Sequence, residues 1–394
     1  MPVSKKIAAA MEQGSWIRRM FEEGIALKAR LGADKVFDLS LGNPIMEPPA
    51  EFDLELKRLA QDPPPGMHRY MPNAGYPETR AAVATGLAAE TGIPFTGDEV
   101  VMTCGAGGAL NVVIKTLLDP GDEVVVFAPY FVEYFFYADN HGGVCKVVQP
   151  DSSFLPDMDS LNAALSERTR IVLVNSPNNP TGVLYPRQVL DRIADAIRTA
   201  EQRYGSEIFL VSDEPYRRIL YDGHKYPDVF ASYERSIVAT SHSKDLGLAG
   251  ERIGYIAANP TSPDSAQLVD GLVFCNRTLG FVNAPALMQR LVAGLQGATV
   301  DVAAYQAKRD FLWTELTGLG YDVVKPDGAF YLFPKSPIAD DVKFVDTLRE
   351  RGVLVVPGRG FGAEGYFRIS YCVDDETLKG SLPGFKAALL AHSR

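Results

Sequence analysis

Cysteine, histidine and tryptophan are scarce in this chain, positive charge is in deficit, and long hydrophobic runs are missing. The four cysteines, Cys104, Cys145, Cys275 and Cys372, are scattered through 394 residues with no Cys-x-x-Cys pair and only five histidines to accompany them. Neither a disulfide framework nor a zinc site is suggested, so no metal is expected and a reducing, cytoplasmic setting is the natural expectation. With 39 basic residues against 49 acidic ones the net charge is −10, which gives no support to binding nucleic acid or an anionic membrane. Near the N-terminus, Lys5 and Lys6 precede an apolar stretch that Glu12 and Gln13 interrupt at once. That pattern fits neither a signal peptide nor a membrane span. Trp16, Ile17, Met20, Phe21 and Leu27 instead suit the apolar stripe of a helix.

What is present is enough apolar material, 46% of residues, to bury a sizeable core across two domains. Short apolar runs at 123–128, 171–175, 208–213, 237–241 and 253–257 alternate with helix-length segments such as 187–204. This rhythm predicts a mostly parallel sheet covered by helices on both faces. A helical pattern runs from the Asn-Ala-Pro-Ala stretch at 283–286 through Leu316. The runs 328–333 and 353–358 then read as strands of a smaller α+β domain. No repeat, low-complexity tract or flexible linker is visible, so two closely packed domains are expected.

The most informative residue is Lys244, in the run Ser241-His242-Ser243-Lys244 that leaves an apolar strand, with Arg252 eight residues on. A lysine so placed can form a Schiff base, while the hydroxyls and the arginine can hold a phosphate. Taken alone it is as easily a surface charge. Three other segments strengthen the case. Asp213 ends the apolar run 208–213 and can keep a pyridine nitrogen protonated, although an aspartate there can also simply cap a helix. Asn179, in Ser176-Pro177-Asn178-Asn179-Pro180-Thr181-Gly182, can donate to a phenolic oxygen, and Tyr216 can share the task; a plain surface turn is the alternative. Gly105, Ala106 and Gly107 open a helical pattern over 111–118, where backbone N–H groups and the helix dipole favour a phosphate. This is not a nucleotide-triphosphate loop. The cofactor that uses all four segments is pyridoxal 5'-phosphate. Asn179, Asp213 and Lys244 fall at or just beyond the C-terminal ends of their strands, where open α/β sheets bind ligands.

With Asn-Asn-Pro-Thr-Gly at 178–182, Asp-Glu-Pro-Tyr at 213–216, Ser-His-Ser-Lys at 241–244 with Arg252, and Phe-Arg-Ile-Ser at 367–370, the chain resembles the fold type I pyridoxal phosphate enzymes of the class I/II aminotransferase family, the aspartate aminotransferases among them. The resemblance spans nearly the whole sequence. It implies a large domain over 50–285 with a mostly parallel seven-stranded sheet between helices, and a small α+β domain from 1–49 and 286–394. It makes Lys244 the Schiff-base lysine and proton shuttle, Asp213 the partner of the pyridine nitrogen, and Asn179 and Tyr216 the pair on the phenolic oxygen. Gly105, Ala106, Gly107, Ser241, Ser243 and Arg252 fall on phosphate-cup positions. Phe131, next to Tyr130, aligns with the aromatic that stacks on the ring. By the same resemblance Arg368 matches the arginine that grips the substrate α-carboxylate, helped by the Gly42 backbone and Asn179. Tyr70 matches the tyrosine that reaches the cofactor phosphate of a neighbouring subunit, which implies a homodimer; an ordinary tyrosine at a turn is the alternative.

The implied reaction is transamination between an L-amino acid and a 2-oxo acid in two ping-pong half-reactions. A lyase on the same scaffold is the alternative, and a regulatory protein that keeps the pocket is a more distant one. Aspartate-specific relatives carry a lysine where this chain has Gly107, so neutral or aromatic donors with 2-oxoglutarate as acceptor are expected. Tyr130, Phe131, Phe274 and Phe361 are the apolar residues expected near the pocket, and Arg277 a candidate distal cation.

Overall fold

The computed structural model describes residues 2–13 and 16–392. Among those residues the strands are, in chain order, β1 Phe37–Asp38, β2 Val100–Thr103, β3 Glu123–Phe127, β4 Val144–Val148, β5 Thr169–Asn175, β6 Phe209–Asp213, β7 Ser236–Ser241, β8 Gly254–Ala258, β9 Tyr331–Leu332, β10 Val353–Leu354, β11 Val356–Pro357 and β12 Phe367–Ser370. Seven of them form one sheet in the order β2-β8-β7-β6-β5-β3-β4. Strands β3 to β7 pair in parallel, while β8 runs antiparallel to both β7 and β2.

A sheet covered on both faces needs apolar residues at successive positions rather than at alternate ones. Accordingly Val124, Val125 and Val126 of β3 and Leu210 and Val211 of β6 are all fully buried. Neighbours along a strand point to opposite faces. Val125, Val172 and Leu210 join the core that contains Leu190, Ile193 and Ile197 of helix Arg187–Tyr204. Val124, Leu173 and Val211 join the core that contains Val112 and Val113 of helix Gly105–Leu117 and Leu272 of helix Ser265–Thr278.

Helix Arg187–Tyr204 has the expected bounds; its buried side chains recur every three or four residues, and Gly205 ends it at φ 66°. Other expectations need revision. Strand β4 is missing from the sequence reading because it is an edge strand: its burial alternates and Val144 is half exposed, so no continuous apolar run marks it. The helical pattern read from 283 to 316 is two helices, Ala286–Ala293 and Val302–Leu319, separated by a segment in which Gly297 adopts φ 93°. The first packs on helices Ala50–Gln61 and Pro77–Thr91, the second on helix Asp375–His392. The run at 353–358 supplies two strands to two sheets: β10 pairs in parallel with β1, and β11 joins the antiparallel β11-β12-β9. Helix Trp16–Leu31 forms as expected, with Met20 and Leu27 buried. The side chains of Ile17 and Phe21 lie outside those described.

Two features position the site. Asn175, Asp213 and Ala239 stand opposite one another in register, so the C-terminal ends of β5, β6 and β7 lie side by side. From the other direction, Ser370 of β12 donates its N–H to Leu39 O (2.8 Å), which brings the N-terminal segment against the strand that carries Arg368. Among the described residues no helix is long and apolar enough to cross a membrane.

Because Leu210 is fully buried at the centre of the sheet, Leu210→Ala should cost about 2–5 kcal/mol of stability. Leu390→Ala, at a side chain left 61% exposed, should stay within about 0.5 kcal/mol. Calorimetric melting of the two variants beside the parent checks the contrast.

Candidate active site

Asn175 at the end of β5 joins the loops above the sheet. Its Nδ2 donates to Asp213 O (2.9 Å), and its Oδ1 accepts from the Asn179 N–H (2.8 Å). Over these strand ends lies a cavity of about 310 Å³, lined among others by Gly42, Ala106, Gly107, Phe131, Asn179, Asp213, Tyr216, Ser241, Ser243, Lys244, Arg252 and Arg368. Twelve residues singled out from the sequence, drawn from segments up to 326 positions apart, therefore face one space.

Lys244 is the amine in that space. Its Nζ donates to Gly42 O at 2.7 Å. Burial pushes its pKa down to about 8, with the charges of Arg252 and Arg368 acting in the same direction and Cys372 opposing them. Asp213 is buried, and its Oδ2 accepts a 2.6 Å hydrogen bond from Tyr134 Oη. Burial raises its pKa to about 7, against the lowering by the Tyr134 hydrogen bond. Its Oδ1 is buried with no partner. Such an oxygen is costly to leave unmatched, so this edge of the carboxylate is prepared for a donor.

Arg368 is almost wholly buried, and burial lowers its pKa. Its Nη1 donates to Asn179 Oδ1 (2.9 Å) and its Nη2 to Ser40 O (2.7 Å), while Nε has no partner. The guanidinium lies over the rings of Tyr331 (4.7 Å) and Phe361 (4.8 Å). This fixes a planar donor that suits a carboxylate. Tyr216 Oη and Tyr331 Oη are 2.8 Å apart. Gly42 is required here, because a Cβ would collide with the Tyr331 hydroxyl.

At the other end of the cavity, helix Gly105–Leu117 begins beneath Arg252. Gly105 adopts φ 70°, and a Cβ on it would meet the Arg252 guanidinium at 2.9 Å, so the residue allows the close approach rather than lining the cavity itself. Ser241 Oγ donates to Ser243 Oγ (3.1 Å). Arg252 itself has a left-handed backbone at φ 53°, is exposed, and donates from Nη1 to Ala249 O (2.9 Å). Two hydroxyls, an arginine and a helix N-terminus together offer an anion its donors.

Other residues stand apart. Tyr130 lies outside the cavity, against Phe135, and it is Phe131 that lines the space. Phe274, expected beside the pocket, is 57% exposed on helix Ser265–Thr278 with Arg277 over its ring at 5.4 Å. Tyr70 is 89% exposed and does not line the cavity. Four lining or supporting residues escape the sequence reading: Tyr134, Tyr137, Asn175 and Tyr331. The first two follow Phe131 at spacings of three and six, a helical signal; Asn175 ends its strand just as Asp213 does. Tyr331 has no local signal, since only tertiary packing brings β9 to Gly42.

The sequence model described as Aminotransferase class I and II matches residues 34–382. The aspartate/prephenate aminotransferase of Thermus thermophilus is 36% identical over 375 residues, which is 91% of this chain and 92% of that protein. The crystal structure of an aminotransferase from Eubacterium rectale superposes with a TM-score of 0.96 at 38% identity, covering 100% of both chains. The aspartate aminotransferase of Thermus thermophilus with maleate gives 0.86 at 29% identity, covering 98% and 99%. A half-buried amine of lowered basicity, a carboxylate with one unpartnered oxygen and a fixed guanidinium thus stand on the fold of proteins named as aminotransferases, and the chain belongs to the class I and II aminotransferase family.

Proposed function

We propose that this aminotransferase works with pyridoxal phosphate held over Asp213, that Lys244 carries its chemistry, and that the active unit is a cytoplasmic homodimer. The single observation that carries the cofactor reading is the Asp213 carboxylate: one oxygen is fixed by Tyr134, and the other is buried without a partner on a residue that lines the cavity, where a ring nitrogen could donate to it. The residues present fit the group. When bound, pyridoxal phosphate supplies an aldehyde that condenses with amines and a protonated ring that withdraws electrons from the substrate α-carbon.

The roles of the chain's own residues follow from their chemistry. Asp213 would hold the ring proton, and Tyr134 keeps that carboxylate oriented. Asn179 and Tyr216 would hold the phenolic oxygen, with Phe131 against the ring face. Ala106, Gly107, Ser241, Ser243 and Arg252 would hold the phosphate, with Gly105 giving Arg252 room. Arg368, already fixed by Asn179 and Ser40, presents its open Nε edge to the α-carboxylate of the amino acid or 2-oxo acid substrate, beside Gly42. Lys244, with a pKa near 8, can take a proton from the α-carbon and return it to a neighbouring carbon, because a base poised near the working pH does both efficiently. One amine within reach of both atoms spares a second encounter.

The relatives' names favour this outcome over a lyase. The proposed division is a large unit, 50–285, and a small unit from 1–49 with 286–394; the β1–β10 pairing supports joining the two ends. Some relatives are named for aspartate and prephenate. For this chain the reading is a neutral or aromatic donor with 2-oxoglutarate as acceptor, because the cavity-lining cations among the described residues are Lys244, Arg252 and Arg368, each with a task of its own.

Lys244→Ala should retain less than about 1% of parental turnover with any donor, measured by the formation of 2-oxo acid; a variant above that rate would move the proton transfer to another residue. A second check needs no cofactor. Since burial lowers the Lys244 pKa to about 8, its neutral amine dominates above that pH. Competitive acetylation of the apo-enzyme, read by mass spectrometry, should show Lys244 reactivity rising with a midpoint near pH 8, while surface lysines rise toward about 10.4. The exposed Tyr70 gives a third check. Mixing Lys244→Ala subunits with Tyr70→Phe subunits should restore activity, because each heterodimer would hold one site with both residues intact. Activity that stays at the level of the unmixed variants, with subunit exchange demonstrated, argues against a shared site.

A further inference from the structure

Tyr137 lines the cavity but has no task in the reaction as described. It stands on helix Glu133–Asn140, three residues after Tyr134, and residues three apart share a helix face. The hydroxyl of Tyr134 is taken up by Asp213. That of Tyr137 reaches the start of helix Gly105–Leu117, because a Cβ built on Gly107, itself a lining residue, would lie 3.1 Å from Tyr137 Oη. No other described residue forms a hydrogen bond with this oxygen. Burial pushes the pKa of the phenol up to about 12, with the charges of Glu133 and Asp213 raising it and that of Arg252 lowering it. At neutral pH the hydroxyl therefore keeps its proton and stands as an unused donor.

The opening of the Gly105–Leu117 helix has no free hydroxyl of its own. Cys104, Gly105, Ala106, Gly107 and Gly108 carry none, and Thr103 Oγ1 already donates to Gly105 O (3.2 Å). The helix end thus offers an anion backbone N–H groups alone. A phosphate presents three strong acceptor oxygens, more than Ser241, Ser243 and Arg252 saturate, and hydrogen bonds to such a charged group are the strong ones. Gly107 is what gives the tyrosine its place: a side chain at that position and the Tyr137 hydroxyl would compete for the same room.

We propose that Tyr137 is a ligand of the cofactor phosphate, its hydroxyl donating across Gly107 to an oxygen held at the helix end. The proposal rests on the pyridoxal phosphate reading above and adds to it a residue that lies outside all of the motifs at 105–107, 178–182, 213–216 and 241–244. Two helices then share the anion: one gives N–H groups from its first turn, and the other gives the hydroxyl that the first lacks. Because this bond is made to the phosphate alone, removing it weakens ligands that carry the phosphate and spares those that carry only the ring.

The test is a titration of the apo-enzyme with pyridoxal 5'-phosphate and with pyridoxal, read by the absorbance of the bound ring. Tyr137→Phe should raise the Kd for pyridoxal phosphate about tenfold or more, as expected for a lost hydrogen bond to a charged group. The Kd for pyridoxal should stay within about twofold of the parent. Adding Gly107→Ser to Tyr137→Phe returns a hydroxyl to the same place, where the missing tyrosine oxygen has left room, and should regain most of the lost affinity. An unchanged Kd for pyridoxal phosphate in Tyr137→Phe, a loss shared equally by pyridoxal, or a double variant that binds no better than the single one overturns the assignment. A parent that binds no pyridoxal phosphate would instead remove the cofactor reading on which the assignment rests.

Discussion

The site depends on one constraint: the parallel register that sets the ends of β5, β6 and β7 side by side. Asn175 and Asp213 are direct partners across that ladder, and Ala239 continues the row. Because these strands are buried on both faces, a slip by one residue would turn every side chain toward the wrong core. The apolar sequence that fills the two cores therefore also fixes where Asp213 and Lys244 stand, and hydrogen bonds such as Asn175 to Asp213 O trim the loops above.

Burial then does the chemical work. At this one cavity it lowers the proton affinity of Lys244 and raises that of Asp213. The two shifts have the same origin, the removal of water from a charged group. Each brings a group toward neutral pH from its own side. Arg368 is treated differently: a guanidinium stays charged despite burial, and its two ring neighbours and two carbonyl acceptors hold it in one orientation. The strain in this arrangement is local, as at Arg252, where a residue with a side chain takes a left-handed backbone beside Gly105.

The N-terminal segment shows how distant pieces complete the site. Gly42 accepts from Lys244 and yields space to Tyr331, while Ser40 accepts from Arg368. A short stretch near the start of the chain thus touches the amine and the guanidinium at once, held there by the pairing of β1 with β10. The fixing of the guanidinium and the small sheets near the chain ends are in this way parts of one construction.

The sequence alone determined the alternation of the central strands and helices, the bounds of helix Arg187–Tyr204, and twelve of the residues that gather at the cavity, because apolar periodicity and motif chemistry are local and Asp213 and Ser241 end recognisable apolar runs. Edge strand β4, the break between helices Ala286–Ala293 and Val302–Leu319, and the split of 353–358 between two sheets were decided by tertiary structure. In each case the local pattern is compatible with more than one partner, and only packing chooses. The same holds for Tyr134 and Tyr331, whose roles depend on Asp213 and Gly42 arriving from distant segments, and for Phe131 over Tyr130. Two adjacent aromatic residues look alike in the sequence, and the direction in which each ring points is set by what it packs against, Tyr130 on Phe135 and Phe131 into the cavity.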